Sequence, residues 1–263
     1  MIHTIAHPTD FSPEGQAAFA HALALALSSG AALDLLHVRD PHRAGEWERF
    51  PRVREVLERW GRIPPGTAAA EVSRLTGVSV RKIDIHDDDT VDGLADFIVR
   101  DAPDLLVMAT HGRAGLNRWL TGSVSATVAQ ATHVPSLLLG PGARGFVDPA
   151  SGALALRRVL VPVAPSPSPV GLADLLGALL GGLGAELDYV TVGAEPVPSP
   201  GPGVTVRHLA GDPVETILAE ARSADLIAMP TEGRHGLRDF LRGSTTEQVV
   251  ARAPCPVLAL PEG

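Results

Sequence analysis

Short apolar runs alternate along this chain with longer stretches of helical character, and that alternation predicts its architecture. Ile2–Ala6, Leu33–Val38, Val78–Ile83 and Leu105–Met108 read as strands, and Ser136–Leu139 as a closing fifth. Between them, Ala17–Leu27, Glu46–Trp60, Ala68–Thr76, Val91–Arg100 and Ser123–Ala131 read as helices. The Ala/Leu alternation of Ala17–Leu27 has almost the period of a strand, but its length decides for a helix, with Ser12 as its cap and Pro13 in its first turn. His7-Pro8-Thr9-Asp10 is the loop that leads into it. Strands alternating with helices imply a parallel sheet covered on both faces.

The pattern then restarts. After a Gly-, Pro- and Ala-rich stretch at 140–157, Leu160–Val163 matches the first strand and Leu187–Val192 the second, both at an offset of 154. Val204–Arg207 matches Val78–Arg81 at 126, and Asp225 matches Asp104 at 121. The fall in offset means that the second copy has lost the helices between its second and third strands. The Pro-rich run Gly193–Gly201 stands in their place as a stiff loop. The expected organisation is a domain at 1–140, a linker at 141–156 and a shortened, degenerate second domain at 157–263. The Gly140–Gly145 run fits G-x-G-x-x-G after a strand, but Phe146-Val147-Asp148-Pro149 cannot open the helix that such a motif needs, so it reads as linker.

The repeat also carries a motif. Ala109-Thr110-His111-Gly112-Arg113-Ala114-Gly115-Leu116, then Leu120-Thr121-Gly122-Ser123, returns as Pro230-Thr231-Glu232-Gly233-Arg234-His235-Gly236-Leu237, then Leu241-Arg242-Gly243-Ser244. The first copy resembles the G-x2-G-x9-G-[S/T] signature of the universal stress protein family. The opening Pro8-Thr9-Asp10-Phe11-Ser12, the strand end Leu35-Leu36-His37-Val38 and the linker from Phe146 to Val161 extend the resemblance over nearly the whole chain.

That resemblance implies two tandem Rossmann-like α/β domains, each a five-stranded parallel sheet of order 3-2-1-4-5 flanked by helices. It further implies that the domains pair within the chain through Ser136–Leu139 and Val257–Leu260. Pairing of whole chains into a homodimer stays open. The implied ligand is an adenine nucleotide, ATP or AMP, with or without Mg²⁺. Asp10, Val38 and Met108 are placed near the adenosine, and Gly112, Gly122 and Ser123 on the phosphates. In an open parallel sheet a ligand binds at the carboxyl ends of the strands, where the strand order reverses. Here that crevice lies between the first and fourth strands. Gly122-Ser123 opens a helix there, whose unpaired N–H groups and dipole favour an anion, and Arg113 and Arg118 are available to neutralise it.

Two departures bear on function. Ala109 stands where the family has its first glycine, which puts a methyl group into the phosphate loop. In the second copy that position is Pro230, without an N–H, and the early aspartate has become Ala164. The expected protein therefore has one working site, in the first half, and acts as a nucleotide-dependent regulator of the stress response. The alternative is a nucleotide-independent interaction or scaffold protein whose sites have decayed.

Composition narrows the remaining choices. A formal charge of −8 over 263 residues disfavours nucleic acid as a partner. A single cysteine, Cys255, excludes an internal disulfide and fits a reducing compartment and a buried apolar role. Acidic residues interrupt the first stretch where a leader would be apolar, and Ala17–Leu27 is too short to span a bilayer. The expectation is a cytoplasmic protein without a membrane partner. Lys82 is the sole lysine and is followed by Ile83, so a P-loop is excluded. The acids of His86-Asp87-Asp88-Asp89 suit the start of the helix near Val91 better than a metal. The sequence offers neither zinc spacing nor a serine elbow, and no residue is placed as a general base. At most slow ATP hydrolysis is expected.

Overall fold

The structure is a computed structural model and describes residues 2–12, 15–39, 46–110, 124, 128–129, 132–231 and 245–261. In the first half the strands are β1 (Thr4–Pro8), β2 (Ala32–Val38), β3 (Val80–Ile85), β4 (Leu105–Ala109) and β5 (Ser136–Leu139). They alternate with α1 (Gly15–Ser29), α2 (Val53–Arg59), α3 (Ala69–Thr76) and α4 (Thr90–Asp101). The second half contains β6 (Arg158–Pro162), α5 (Leu172–Leu180), β7 (Glu186–Val192) and β8 (Val206–Leu209). It closes with α6 (Pro213–Glu220), β9 (Leu226–Thr231), α7 (Thr245–Arg252) and β10 (Val257–Pro261).

The described strands form one sheet in the order β3-β2-β1-β4-β5-β10-β9-β6-β7-β8. Each half is parallel with the order 3-2-1-4-5. The halves meet where β5 runs antiparallel to β10, pairing Leu138 with Val257, Leu137 with Leu258 and Ser136 with Ala259. This is the junction expected from the closing strands. It fuses two five-stranded sheets into one of ten strands.

Side chains alternate across the sheet and build two cores. On one face Ile5, Leu33, Leu35 and Val107 pack under α1, with Leu172 and Leu176 of α5 continuing that core across the second half. On the other, Ala6, Leu36, Leu106 and Met108 pack under Leu94, Phe97 and Ile98 of α4, joined by Ile217 of α6 and Val249 of α7. Helix α1 is buried along an unbroken run from Ala18 to Ala26, which explains its lack of an amphipathic pattern. The sheet covers one side of it and the linker the other.

That linker is a docked element. Val147 pairs with Leu154 in a short antiparallel bridge, and Phe146, Val147 and Leu156 are buried. His21 of α1 donates through Nδ1 to the Ala17 carbonyl at 2.7 Å, and its Nε2 accepts the N–H groups of Phe146 and Val147 at 3.1 and 3.3 Å. Trp60 donates from Nε1 to the Pro149 carbonyl at 3.0 Å. Arg144 ties the other end to the second half through the Ala224 carbonyl, at 2.7 Å.

Several boundaries differ from expectation, each for a local reason. His7 and Pro8 extend β1 rather than lying in the loop, and β3 runs to Ile85 in register with Val38. The stretch Glu46–Trp60 is broken: a 3₁₀ turn at Glu46–Arg49 precedes α2, because the residue before Pro51 is disfavoured in a helix. In the first half Leu33 faces Val80. Its counterpart two residues further along, Tyr189, faces Val206. The slip is even, so every side chain of β8 keeps its face. The helix expected at Ser123–Ala131 lies largely outside the described residues.

Candidate functional site

Strands β1 and β4 are neighbours, with Ile5 opposite Leu105 and Ala6 opposite Leu106. The chain leaves β1 toward β2 and leaves β4 toward β5, so their carboxyl ends flank the point where the strand order reverses. The loop after β1 is wound tightly there. Thr9 donates its N–H to the Leu36 carbonyl at 2.8 Å, and His37 Nδ1 donates to the Thr9 carbonyl at 3.0 Å. Asp10 Oδ1 accepts the Ser12 N–H at 3.0 Å, Thr9 Oγ1 accepts that of Phe11 at 3.1 Å, and Ser12 Oγ accepts that of Gly15 at 3.3 Å. Half-buried Asp10 is thereby fixed beside the switch point, and Ser12 caps α1 as expected.

On the facing strand, Ala109 ends β4 opposite Leu139, and its methyl group packs against the core on the α1 face. Met108, one residue earlier, points to the other face and is 2% exposed under α4. Val38 ends β2, half-buried at the margin of the same α4-face core. Beyond it, Arg39 donates its N–H to the Ile85 carbonyl at 2.9 Å. A cavity of about 610 Å³ opens at this end of β2 and β3, lined by Arg39, His86, Asp87 and Asp88. Gly112, Arg113, Gly122 and Ser123, with His111 and Arg118, lie outside the described residues, as do Gly233, Gly243 and Ser244.

Comparison with known proteins agrees with this arrangement. The model of the universal stress protein family matches residues 1–139 and 194–261. The chain belongs to that family. Among curated relatives it is 42% identical over 59 residues to a universal stress protein of Methanocaldococcus jannaschii, covering 22% of this chain and 35% of that protein. It is 48% identical over 52 residues to one of Thermus aquaticus, covering 19% and 38%. The matched stretch thus spans little more than a third of either relative. The crystal structure of a universal stress protein from Archaeoglobus fulgidus superposes with a TM-score of 0.64 at 21% identity, over 99% of this chain and 96% of that one. At that identity the superposition speaks for the fold alone.

Against that family pattern the second half is depleted. Ala164, exposed, follows β6 where Asp10 follows β1. Pro230 lies in β9 opposite Leu260, beyond the last β6–β9 pair at Leu160 and Ile227, where its missing N–H interrupts no ladder bond with β6. The acids of His86–Asp89 stand before α4, at the helix start expected for them, and Asp89 caps it by accepting the N–H groups of Val91 and Asp92 at 2.7 and 3.1 Å. Among the described residues, no cluster of three or more His, Cys, Asp or Glu side chains is arranged to hold a metal. Cys255 is 1% exposed and burial pushes its thiol up to about 12, so it acts as a small core residue. No helix among the described residues is long and apolar enough to cross a membrane.

Sequence reasoning missed an aromatic cluster beside the Asp10 loop. Phe11 lies 4.2 Å from the ring of His37, 5.1 Å from Trp47 and 5.9 Å from Phe50, between centroids. Phe19 meets Phe50 edge-on at 4.7 Å. His7 sits beneath, wholly buried, donating through Nδ1 to the Val107 carbonyl at 2.8 Å. Its Nε2 is left without a partner among the described residues. Burial lowers its pKa to about 4, so the ring is neutral. The available signal was compositional: aromatic residues form only 4% of the chain, yet four of them fall within the first fifty residues around the Asp10 loop.

Proposed function

We propose that this chain is a nucleotide-responsive stress protein that binds ATP or AMP at the switch point of its first half. One observation carries the reading: the loop fixed by Asp10 leaves the carboxyl end of β1 beside β4, where the strand order reverses, and a cavity of about 610 Å³ opens at the carboxyl ends of the next strands, β2 and β3. Its carboxylates suit the hydroxyl and amine donors of a nucleoside better than they suit phosphate. In this proposal the phosphates lie on the other side of Asp10, on Gly112, Arg113, Gly122 and Ser123, with Val38 and Met108 backing the nucleoside and Ala109 leading into the phosphate loop. Mg²⁺ bound with ATP would be held chiefly by phosphate oxygens and water, as this hard cation is in nucleotide sites. The division at 1–140, 141–156 and 157–263 belongs to the same proposal, with the second domain as structural partner of the first. A cytoplasmic location is also part of it.

Calorimetric titration of the full chain with ATP and Mg²⁺ tests this directly. The expected result is saturation near one equivalent, lost on Gly122→Val and retained on Gly243→Val. No heat and no thermal stabilisation at millimolar ATP would favour the nucleotide-independent scaffold instead. Phosphate release over many turnovers would require a catalytic group not yet identified.

A further inference from the structure

Phe11 holds a backbone conformation that its side chain does not favour. Its φ is +58°, in the left-handed region that residues with a Cβ rarely occupy. Such a conformation persists where its surroundings over-determine it. The surroundings here are the rings of His37, Trp47 and Phe50, two of which meet Phe11 edge to face. Trp47 is the outermost of these and belongs to the 3₁₀ turn Glu46–Arg49 rather than to the sheet. It is tied down from β3: its Nε1 donates to Asp84 Oδ1 at 2.7 Å, and the Lys82 ammonium stands 5.0 Å from its ring centroid. A continuous chain of contacts therefore runs from the edge strand through Trp47 to Phe11, the residue next to Asp10.

We infer that this clasp sets the Asp10 loop, with Trp47 and Asp84 as positioning residues for the nucleotide although neither belongs to the proposed binding set. Removing the clasp frees Phe11 to relax out of its left-handed conformation. The two adjacent bonds, Phe11 N–H to Thr9 Oγ1 and Ser12 N–H to Asp10 Oδ1, then lose their geometry. The affinity part of the inference rests on the proposed nucleotide reading, whereas the loop part does not.

Two measurements on the full chain separate them. Amide hydrogen exchange at Phe11 and Ser12 is expected to accelerate about tenfold in Trp47→Leu and Asp84→Ala, with the amides of β2 and β4 unchanged, since lost edge-to-face contacts of this kind are worth up to about one decade. Trp47→Phe retains the ring contact and loses only the Asp84 bond, so it should fall between. Titration with ATP and Mg²⁺ is expected to show affinity about tenfold lower in Trp47→Leu, at unchanged stoichiometry and with a thermal midpoint close to that of the parent chain. Unchanged exchange in both variants would overturn the clasp. Faster exchange with unchanged ATP affinity would overturn its part in binding. A parent chain that binds no nucleotide would overturn the function proposed above, and the exchange data would still decide whether the clasp holds the loop.

Discussion

At the scale of single residues, the two halves share a device that the repeat marked only as a matching aspartate. Asp104 Oδ2 accepts the N–H groups of His3 and Thr4 at 2.7 and 2.9 Å. Asp225 Oδ2 accepts those of Arg157 and Arg158 at 2.9 and 3.0 Å. Each carboxylate takes up the first N–H groups of the leading strand of its half, while the carbonyls of the same residues accept N–H groups from the neighbouring backbone: His3 from Ala32, Thr4 from Asp104, Arg157 from Glu186 and Arg158 from Asp225. Both are half-exposed, so water replaces part of what is lost on deletion. Asp104→Ala is expected to lower stability by about 1–2 kcal/mol in urea unfolding, as for charge-assisted bonds near the surface. Asp225→Ala should cost at least as much, because Arg144 of the linker also approaches that carboxylate, at 3.8 Å. Unchanged midpoints would show the staple to be idle. At this scale the sequence was most legible where chemistry is local: Ser12 and Asp89 cap helices as their positions predict. It was least legible where the partner is distant. Nothing in the spacing of Ala109 shows that its methyl faces the α1 core, and nothing near Trp47 names Asp84 as its acceptor.

At the scale of elements, each strand placed from the sequence lies within about two residues of its expected position, because short apolar runs bounded by Gly, Pro and charged residues leave little freedom. Register between strands was less legible, since a shift of two residues conserves the hydrophobic pattern. The packing of the linker was least legible. Its Gly/Pro composition marks a connection between the halves, yet two of its glycines serve close packing. A Cβ on Gly152 would come within 2.3 Å of the Trp60 indole, and φ there is +67°. One on Gly145 would meet His21 Cε1 at 2.5 Å. Both obstacles are rings held by hydrogen bonds, so they cannot swing aside without losing the linker carbonyl or amides they engage. Gly152→Ala is expected to destabilise by about 1–3 kcal/mol, the usual range for overpacking, and to shift Trp60 emission to the red as the loop lifts. An unshifted emission spectrum together with a parental unfolding midpoint would mean that the linker docks only weakly.

At the scale of the whole molecule, both closing strands are used within the chain, and the sheet ends at β3 and β8 instead. Those edges carry Arg81, Lys82 and Asp84 on one side and Arg207 on the other, with Arg207 and Arg158 holding the Asp188 carboxyl down to about 2. Charged edges of this kind resist further strand addition. The pH response of such a molecule is set in its interior, by two neutral histidines on the α1 face. His7 and His21 are each lowered to about 4, first by burial. For His21 the geometry agrees: Nε2 accepts two amide protons, and a proton placed there would face them. Above the ordinary histidine value of about 6.5 both rings are neutral whether the chain is folded or not, and their contribution is complete. As the pH falls below that value the unfolded chain takes up protons that the folded chain refuses, so stability drops, and the drop ends near pH 4 when the folded rings protonate too. Between pH 7 and 5 the expected loss is about 2 kcal/mol per histidine, a range in which few carboxylates titrate. Urea unfolding across that interval measures it, and His21→Gln should roughly halve the slope while leaving an acceptor for the linker amides. A stability profile flat from pH 7 to 5 would mean that one or both rings are solvated or charged in the folded chain, and that the linker is held by packing against Trp60 alone.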